Sequence, residues 1–221
     1  MSATREPTQS VLDTDRVETL ADGVFAIAMT LLVFEINVPD VANRLTLGDL
    51  AALGPKLLSY VISFVVLGIY WIGHHNQFHY IRRADRLFLW INILFLMCVA
   101  FIPFSAALLG RYSGQELAVI VYGLNLVIVG AVLYGHWWYA TARYRLVDRD
   151  LPAEVVRMAK RRILMAPIGY VAAILISLVS IPASIAIYVL VPLLYVMPAR
   201  FDRHLRQAGP PQKHSAEAQS R

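Results

Sequence analysis

Six apolar stretches, parted by short charged or turn-forming segments, constrain this chain more than any other feature. They span residues 16–38, 57–81, 87–109, 116–142, 163–178 and 183–197. At about 1.5 Å per helical residue, the first would be roughly 33 Å long, enough to cross a bilayer. Hydrophobic residues make up 58% of the chain and charged residues only 16%, below the roughly 25% usual in soluble domains. The sequence therefore predicts an all-α, polytopic membrane protein with six transmembrane helices. Three regions are expected: a cytoplasmic N-terminal segment (1–15), a transmembrane domain (16–198) and a basic, disordered tail (199–221).

Charge sets the orientation. Seventeen of the 20 Lys and Arg residues fall in the termini and in the segments following the second and fourth spans. The positive-inside rule puts those segments, and both termini, in the cytoplasm of a cell whose inner membrane holds the protein. The first 22 residues carry five acidic side chains and two basic ones, unlike a secretory leader. The single cysteine, Cys98, excludes an internal disulfide and a cysteine metal site.

The first span is more than an anchor. Asp15 and Glu18 have capping-box spacing, which predicts a helix start at Arg16. Steps of three and four put Gly23, Ile27, Thr30, Leu31 and Phe34 on one face and Ala21, Phe25, Ala28 and Leu32 on another. Arg16 and Asp22 lie six apart, so each needs a partner elsewhere if buried.

The second span ends in a polar run holding His74, His75, Asn76, Gln77 and His79. His75 and His79 have a metal-ligand spacing, but no carboxylate lies within the run, so no metal site is expected. A polar network fits better, with Arg16 or Asp22 on the first span and Asn92 on the third as partners, because polar groups in lipid must be paired. His136 to Tyr139 are expected to form an interfacial aromatic belt. A stretch at 152–162 is expected to be an amphipathic helix leading into the fifth span.

No nucleophile elbow, Walker loop, glycine-rich dinucleotide loop or Thr-Val-Gly-Tyr-Gly filter is present, so neither an enzyme nor an ordinary potassium channel is indicated. A secondary transporter would show inverted repeats, and residues 16–109 and 116–197 do not match convincingly. A non-conducting structural membrane protein remains a third alternative.

Three motifs carry a resemblance. Arg16-Val-Glu-Thr-Leu-Ala-Asp22 is similar to the R-x-x-x-F-S-D signature that opens the first span of the transmembrane protein 175 family of potassium channels. Trp71-x-x-His74-His75 and the segment from Leu89-Trp90-Ile-Asn92 to Ile102-Pro103-Phe104 also resemble that family. The likeness covers residues 15–110; the later spans match in topology only. It resembles a bacterial or archaeal member with one six-span repeat.

That resemblance implies a homotetramer in membrane lipid, with no cofactor, no nucleic-acid partner and no small-molecule substrate. Potassium would be the permeant ion. The first helices would surround the pore, with a hydrophobic constriction at Ile27 and further layers at Thr30, Leu31 and Phe34. Arg16, Asp22, His74, His75 and Asn92 would form the network that holds that helix. Leu20-Ala21 departs from the signature's Phe-Ser, which removes one hydroxyl.

Overall fold

A computed structural model describes residues 14–39 and 44–196. Most of the expected N-terminal segment and the whole expected tail lie outside the described residues. Eight α-helices follow one another: α1 Thr14–Phe34, α2 Leu47–Ala51, α3 Gly54–Phe78, α4 Arg86–Ala100, α5 Ile102–Arg111, α6 Glu116–Thr141, α7 Ala153–Ser177 and α8 Ile181–Val196. A 3₁₀ turn, Ala142–Tyr144, follows α6. α2 leads into α3, and α5 continues α4, so the eight helices make six helical units.

Four units are long and apolar enough to cross a membrane: Thr14–Phe34, Leu47–Phe78, Arg86–Arg111 and Glu116–Tyr144. The remaining two units, α7 and α8, differ in kind. α7 has 25 residues, but its first half carries Arg157, Lys160, Arg161 and Arg162. α8 has only 16 residues, though all are compatible with lipid.

The helix ends have local causes. Thr46 and Asp49 close a capping box at α2, with Thr46 N–H donating to Asp49 Oδ2 (2.9 Å). Asp85 caps α4 by accepting from Phe88 N–H (2.8 Å). α1 is described from Thr14, two residues before the predicted Arg16, and the Glu18 carboxylate meets His75 of α3, as described below.

Continuity departs from the expected spans at one place and agrees with the expectation at another. The third apolar stretch is two helices, because Pro103 lacks an N–H and occupies the first turn of a new helix after Phe101. The amphipathic helix at 152–162 and the fifth span form one helix, α7, with Pro167 inside it. Tyr195 of α8 supports this run. Its hydroxyl accepts from Ala166 N–H and donates to Arg162 C=O, bridging a gap in the backbone ladder.

α6 runs through the centre. α4 and α5 pack on one side of it, and α7 and α8 on the other. Gly130 faces the Pro167 ring, and Gly123 faces the Tyr188 hydroxyl; a side-chain carbon at either position would overlap its neighbour. Small residues thus let these helices approach closely, as membrane helices require for dispersion contact.

The expected aromatic belt at His136 to Tyr139 is also corrected. His136, Trp137 and Tyr139 are buried, and only Trp138 faces out. The 142–151 loop folds under the bundle, where Leu146 and Val147 join Ile81, Ala84, Phe88 and Trp137 in a second apolar cluster. Arg82 N–H donates to Leu146 C=O (2.9 Å), and Ile81 pairs with Val147 in an isolated bridge. Burial by this returning loop is a tertiary effect with no local sequence signal.

Candidate pore face and the polar network behind it

α1 divides sharply into two faces. Ala21, Phe25, Ala28 and Leu32 recur at steps of three and four and are buried against the core. Ile27, Leu31 and Phe34 are 61%, 45% and 73% exposed, and Thr30 is exposed beside them. Gly23 lies on the same uncovered side, with nothing near the place a side chain would occupy. The two sets are those that spacing separates in the sequence.

The Thr30 hydroxyl donates to the Ile27 carbonyl one turn back (2.9 Å). Its proton is therefore committed to the backbone. The oxygen keeps its lone pairs, so the exposed face carries a neutral acceptor among apolar side chains.

Behind the buried face lie paired polar groups. α1 and α3 make a two-rung ladder. Trp71 Nε1–H donates to Asp22 Oδ1 (2.7 Å), and His75 Nδ1 meets Glu18 Oε1 (2.5 Å). Glu18 and Asp22 are four apart on α1, and Trp71 and His75 four apart on α3, so each pair sits on one helix face. The Trp71 and His75 rings also stack, 5.7 Å apart.

A second set is deeper. His74 Nε2 meets Asn92 Oδ1 of α4 at 2.8 Å. Gln77 Nε2–H donates to the Leu133 carbonyl of α6 (3.2 Å), which leaves Gln77 Oε1 to accept from His136 Nδ1 (2.6 Å). Aromatic rings wall this set. His74 stacks on Phe95 (5.1 Å), and His136 lies 4.2 Å from the Phe88 ring centre. Phe25 of α1 lies 6.4 Å from His74, so it separates the histidine from the uncovered face of its own helix.

The structure thus brings His74 to Asn92. It pairs Asp22 with Trp71 and His75 with Glu18, rather than Asp22 with a histidine. Arg16 is exposed and makes no hydrogen bond or ion pair with any described residue. Glu18 and His136, the latter through Nδ1, also make these contacts and were not singled out as such from sequence, whereas Gln77 belongs to the polar run read there. The matched spacing of Glu18/Asp22 and Trp71/His75 was the available signal. Among the described residues, no three His, Cys, Asp or Glu side chains converge as a metal site, and His79 packs on Tyr80 instead.

Comparison with known proteins gives this arrangement a context. Residues 16–103 match the family model described as endosomal/lysosomal potassium channel TMEM175. A protein named as a potassium channel from Streptomyces collinus is 36% identical over 188 residues, covering 83% of this chain and 91% of that one. Another, from Chamaesiphon minutus, is 34% identical over 187 residues, covering 82% and 91%. The crystal structure of a lysosomal potassium-selective channel TMEM175 homolog from Chamaesiphon minutus superposes with a TM-score of 0.74 at 30% identity. It covers 89% of this chain and 98% of its own. Similarity of this extent, reaching across nearly the whole length of both bacterial relatives, means that the chain belongs to the TMEM175 family.

Proposed function

We propose that this protein is a potassium-permeable channel that assembles as a homotetramer, with α1 of each subunit lining the pore. One observation carries this reading. In a single subunit, α1 leaves Ile27, Leu31 and Phe34 uncovered while its opposite face is fully packed. A helix at the edge of the bundle with an apolar face and one hydroxyl acceptor fits a pore lined by several copies. The names of the bacterial relatives favour potassium as the ion.

In this reading Ile27 forms the narrowest ring. A tight ring of isoleucines sheds water and blocks ions, so conduction needs the ring to widen and wet. Thr30, one turn further, offers oxygen lone pairs that replace part of an ion's hydration shell. The ladder of Asp22–Trp71 and Glu18–His75 anchors α1 against α3 and so fixes which face turns inward. The basic residues cluster at that end, which favours a cytoplasmic location for both termini in an inner membrane.

The test is a planar-bilayer recording of reconstituted protein under a potassium–sodium gradient. Discrete openings that reverse near the potassium equilibrium potential are expected. Ile27→Asn is expected to raise current several-fold and weaken discrimination between the two ions. Leu32→Asn, on the packed face, is expected to impair folding or leave selectivity alone. If selectivity changes at Leu32 and not at Ile27, the pore face has been assigned to the wrong side of α1.

A further inference from the structure

At the end of the bundle away from the histidines, a cleft opens where the last turn of α1, the start of α3 and the end of α5 meet. It is a shallow recess, open to the surroundings, and Leu32, Glu35, Lys56, Tyr60 and Ala107 are among the residues that line it. The cleft exists because of small side chains. Gly110 lets α5 approach so closely that a side-chain carbon there would lie 3.1 Å from Lys56 Cα. Ser59 Oγ–H donates to the Ala106 carbonyl (2.7 Å) and locks the same crossing. Ala106 and Ala107 then leave the space beside it unfilled.

Two opposite charges face this space. Glu35 is exposed just past the end of α1, and Lys56 is half-buried in the first turn of α3. They do not form an ion pair with each other. No other described side chain bonds either group. A carboxylate and an ammonium that share a cleft without touching fit a ligand with both signs of charge, spaced by a few bonds.

The surroundings say where that ligand comes from. Lys56, Tyr60 and Phe64 stand four apart in one column on α3, and the Tyr60 and Phe64 rings lie 6.0 Å apart. Leu57 and Val61 beside them are exposed. This is a charged head position above an aromatic and aliphatic strip, the order of groups in a lipid at a membrane interface.

We propose that this cleft binds the phosphoethanolamine headgroup of a phospholipid, with its phosphate on Lys56 and its primary ammonium on Glu35. The acyl chains lie along the Tyr60–Phe64 strip. A choline headgroup is excluded from the full interaction because its quaternary nitrogen donates no hydrogen bond to Glu35 and its methyl groups need more room. A glycerol headgroup satisfies Lys56 but leaves Glu35 without a cation.

The experiment is native mass spectrometry of the full-length protein after exchange into equimolar phosphatidylethanolamine, phosphatidylcholine and phosphatidylglycerol. Retention of phosphatidylethanolamine about fivefold over either rival is expected, the scale of one headgroup-level charge contact. Glu35→Gln should abolish its advantage over both phosphatidylglycerol and phosphatidylcholine, whereas Lys56→Gln, which removes the phosphate contact common to all three, should lower retention of all three. Ala107→Phe fills the cleft without altering either charge and should lower retention as well. It keeps the test available if a charge variant assembles poorly. Equal retention of the three lipids, or a preference that survives both Gln variants, overturns the proposal. So does a cleft that retains no lipid because a neighbouring subunit fills it. If Lys56→Gln reduces both phosphatidylethanolamine and phosphatidylglycerol while Glu35→Gln does nothing, the cleft is a plain anion site and the proposal is again wrong.

Discussion

The region joining α1, α3 and α4 and the region joining α6, α7 and α8 solve the same problem in different ways. Each joins helices through polar groups, and such a group left unpaired in hydrocarbon costs several kcal/mol. In the first, side chains pair with side chains: Asp22 with Trp71, Glu18 with His75, His74 with Asn92. In the second, hydroxyls pair with backbone carbonyls: Tyr188 with Val119, Ser184 with Ala173, Tyr195 with Arg162. A carbonyl is present whatever residue carries it, so the second kind depends on one side chain and on a close helix approach. The first kind depends on two identities at once. It therefore leaves paired motifs in the sequence, and the family model matches residues 16–103, the stretch that holds this region. The second region leaves only scattered glycines and tyrosines.

The comparison predicts that the second region breaks most severely when its helix spacing is violated. Gly130 abuts the rigid Pro167 ring on one side and the Tyr70 hydroxyl on the other. Gly130→Leu is expected to cost about 3 kcal/mol or more, beyond what repacking recovers. Size-exclusion chromatography in detergent should show little assembled protein. A normal yield of stable oligomer would mean that α6 and α7 can separate freely.

The first region should break next most severely, and through pairing rather than spacing. Asn92→Leu keeps the side-chain volume close but leaves a buried His74 nitrogen unpaired. A loss of about 1–3 kcal/mol is expected, read as a lower thermal midpoint of the assembled protein. Adding His74→Phe removes the orphaned group and should restore part of the loss. A double variant no better than Asn92→Leu alone would show that shape, not pairing, is what matters there.

The ladder comes third. Asp22→Ala removes the acceptor of Trp71, which lies at an exposed site where other acceptors can replace it. About 0.6–2 kcal/mol is expected, the range of single interhelical hydrogen bonds in membranes. It should weaken the oligomer more than it alters ion preference. An Asp22→Ala protein with altered selectivity and unchanged assembly would separate the ladder from the anchoring of α1.

This contrast also explains what was readable in the sequence. The positions of the helical units and the two faces of α1 were readable, because Pro39, Pro55 and the arginine clusters punctuate the chain and helical periodicity sorts Ile27 from Leu32. The Asn92–His74 pairing was readable from the need to satisfy polar groups. The partner of Asp22 was missed because Trp71 entered only as part of a motif, and its indole N–H declares no direction. His136 and Trp137 were missed because their burial depends on Leu146 and Val147 returning from a loop. The break at Phe101 was half visible: Pro103 marks it, but a proline can either bend a helix or start a new one.

The smallest expected effect sharpens the comparison most. Tyr188 is buried, and its hydroxyl donates to the Val119 carbonyl (3.1 Å) in the notch left by Gly123. Val119 C=O lies on α6 and has a second lone pair engaged by its own helix, so losing the tyrosine proton does not orphan it. Tyr188→Phe should therefore cost only about 0.5–1 kcal/mol and leave oligomer and conductance unchanged. Gly123→Ala, by contrast, places a methyl group where the hydroxyl sits and should cost about 1–3 kcal/mol by overpacking. Combining the two removes the hydroxyl that the methyl group displaces, so the double variant should be more stable than the sum of the single losses. Thermal midpoints of the four proteins decide the matter. If the losses simply add, the Ile174 side chain, which also faces Gly123, is the true obstacle. The tyrosine would then be a passenger in a contact set by apolar packing alone.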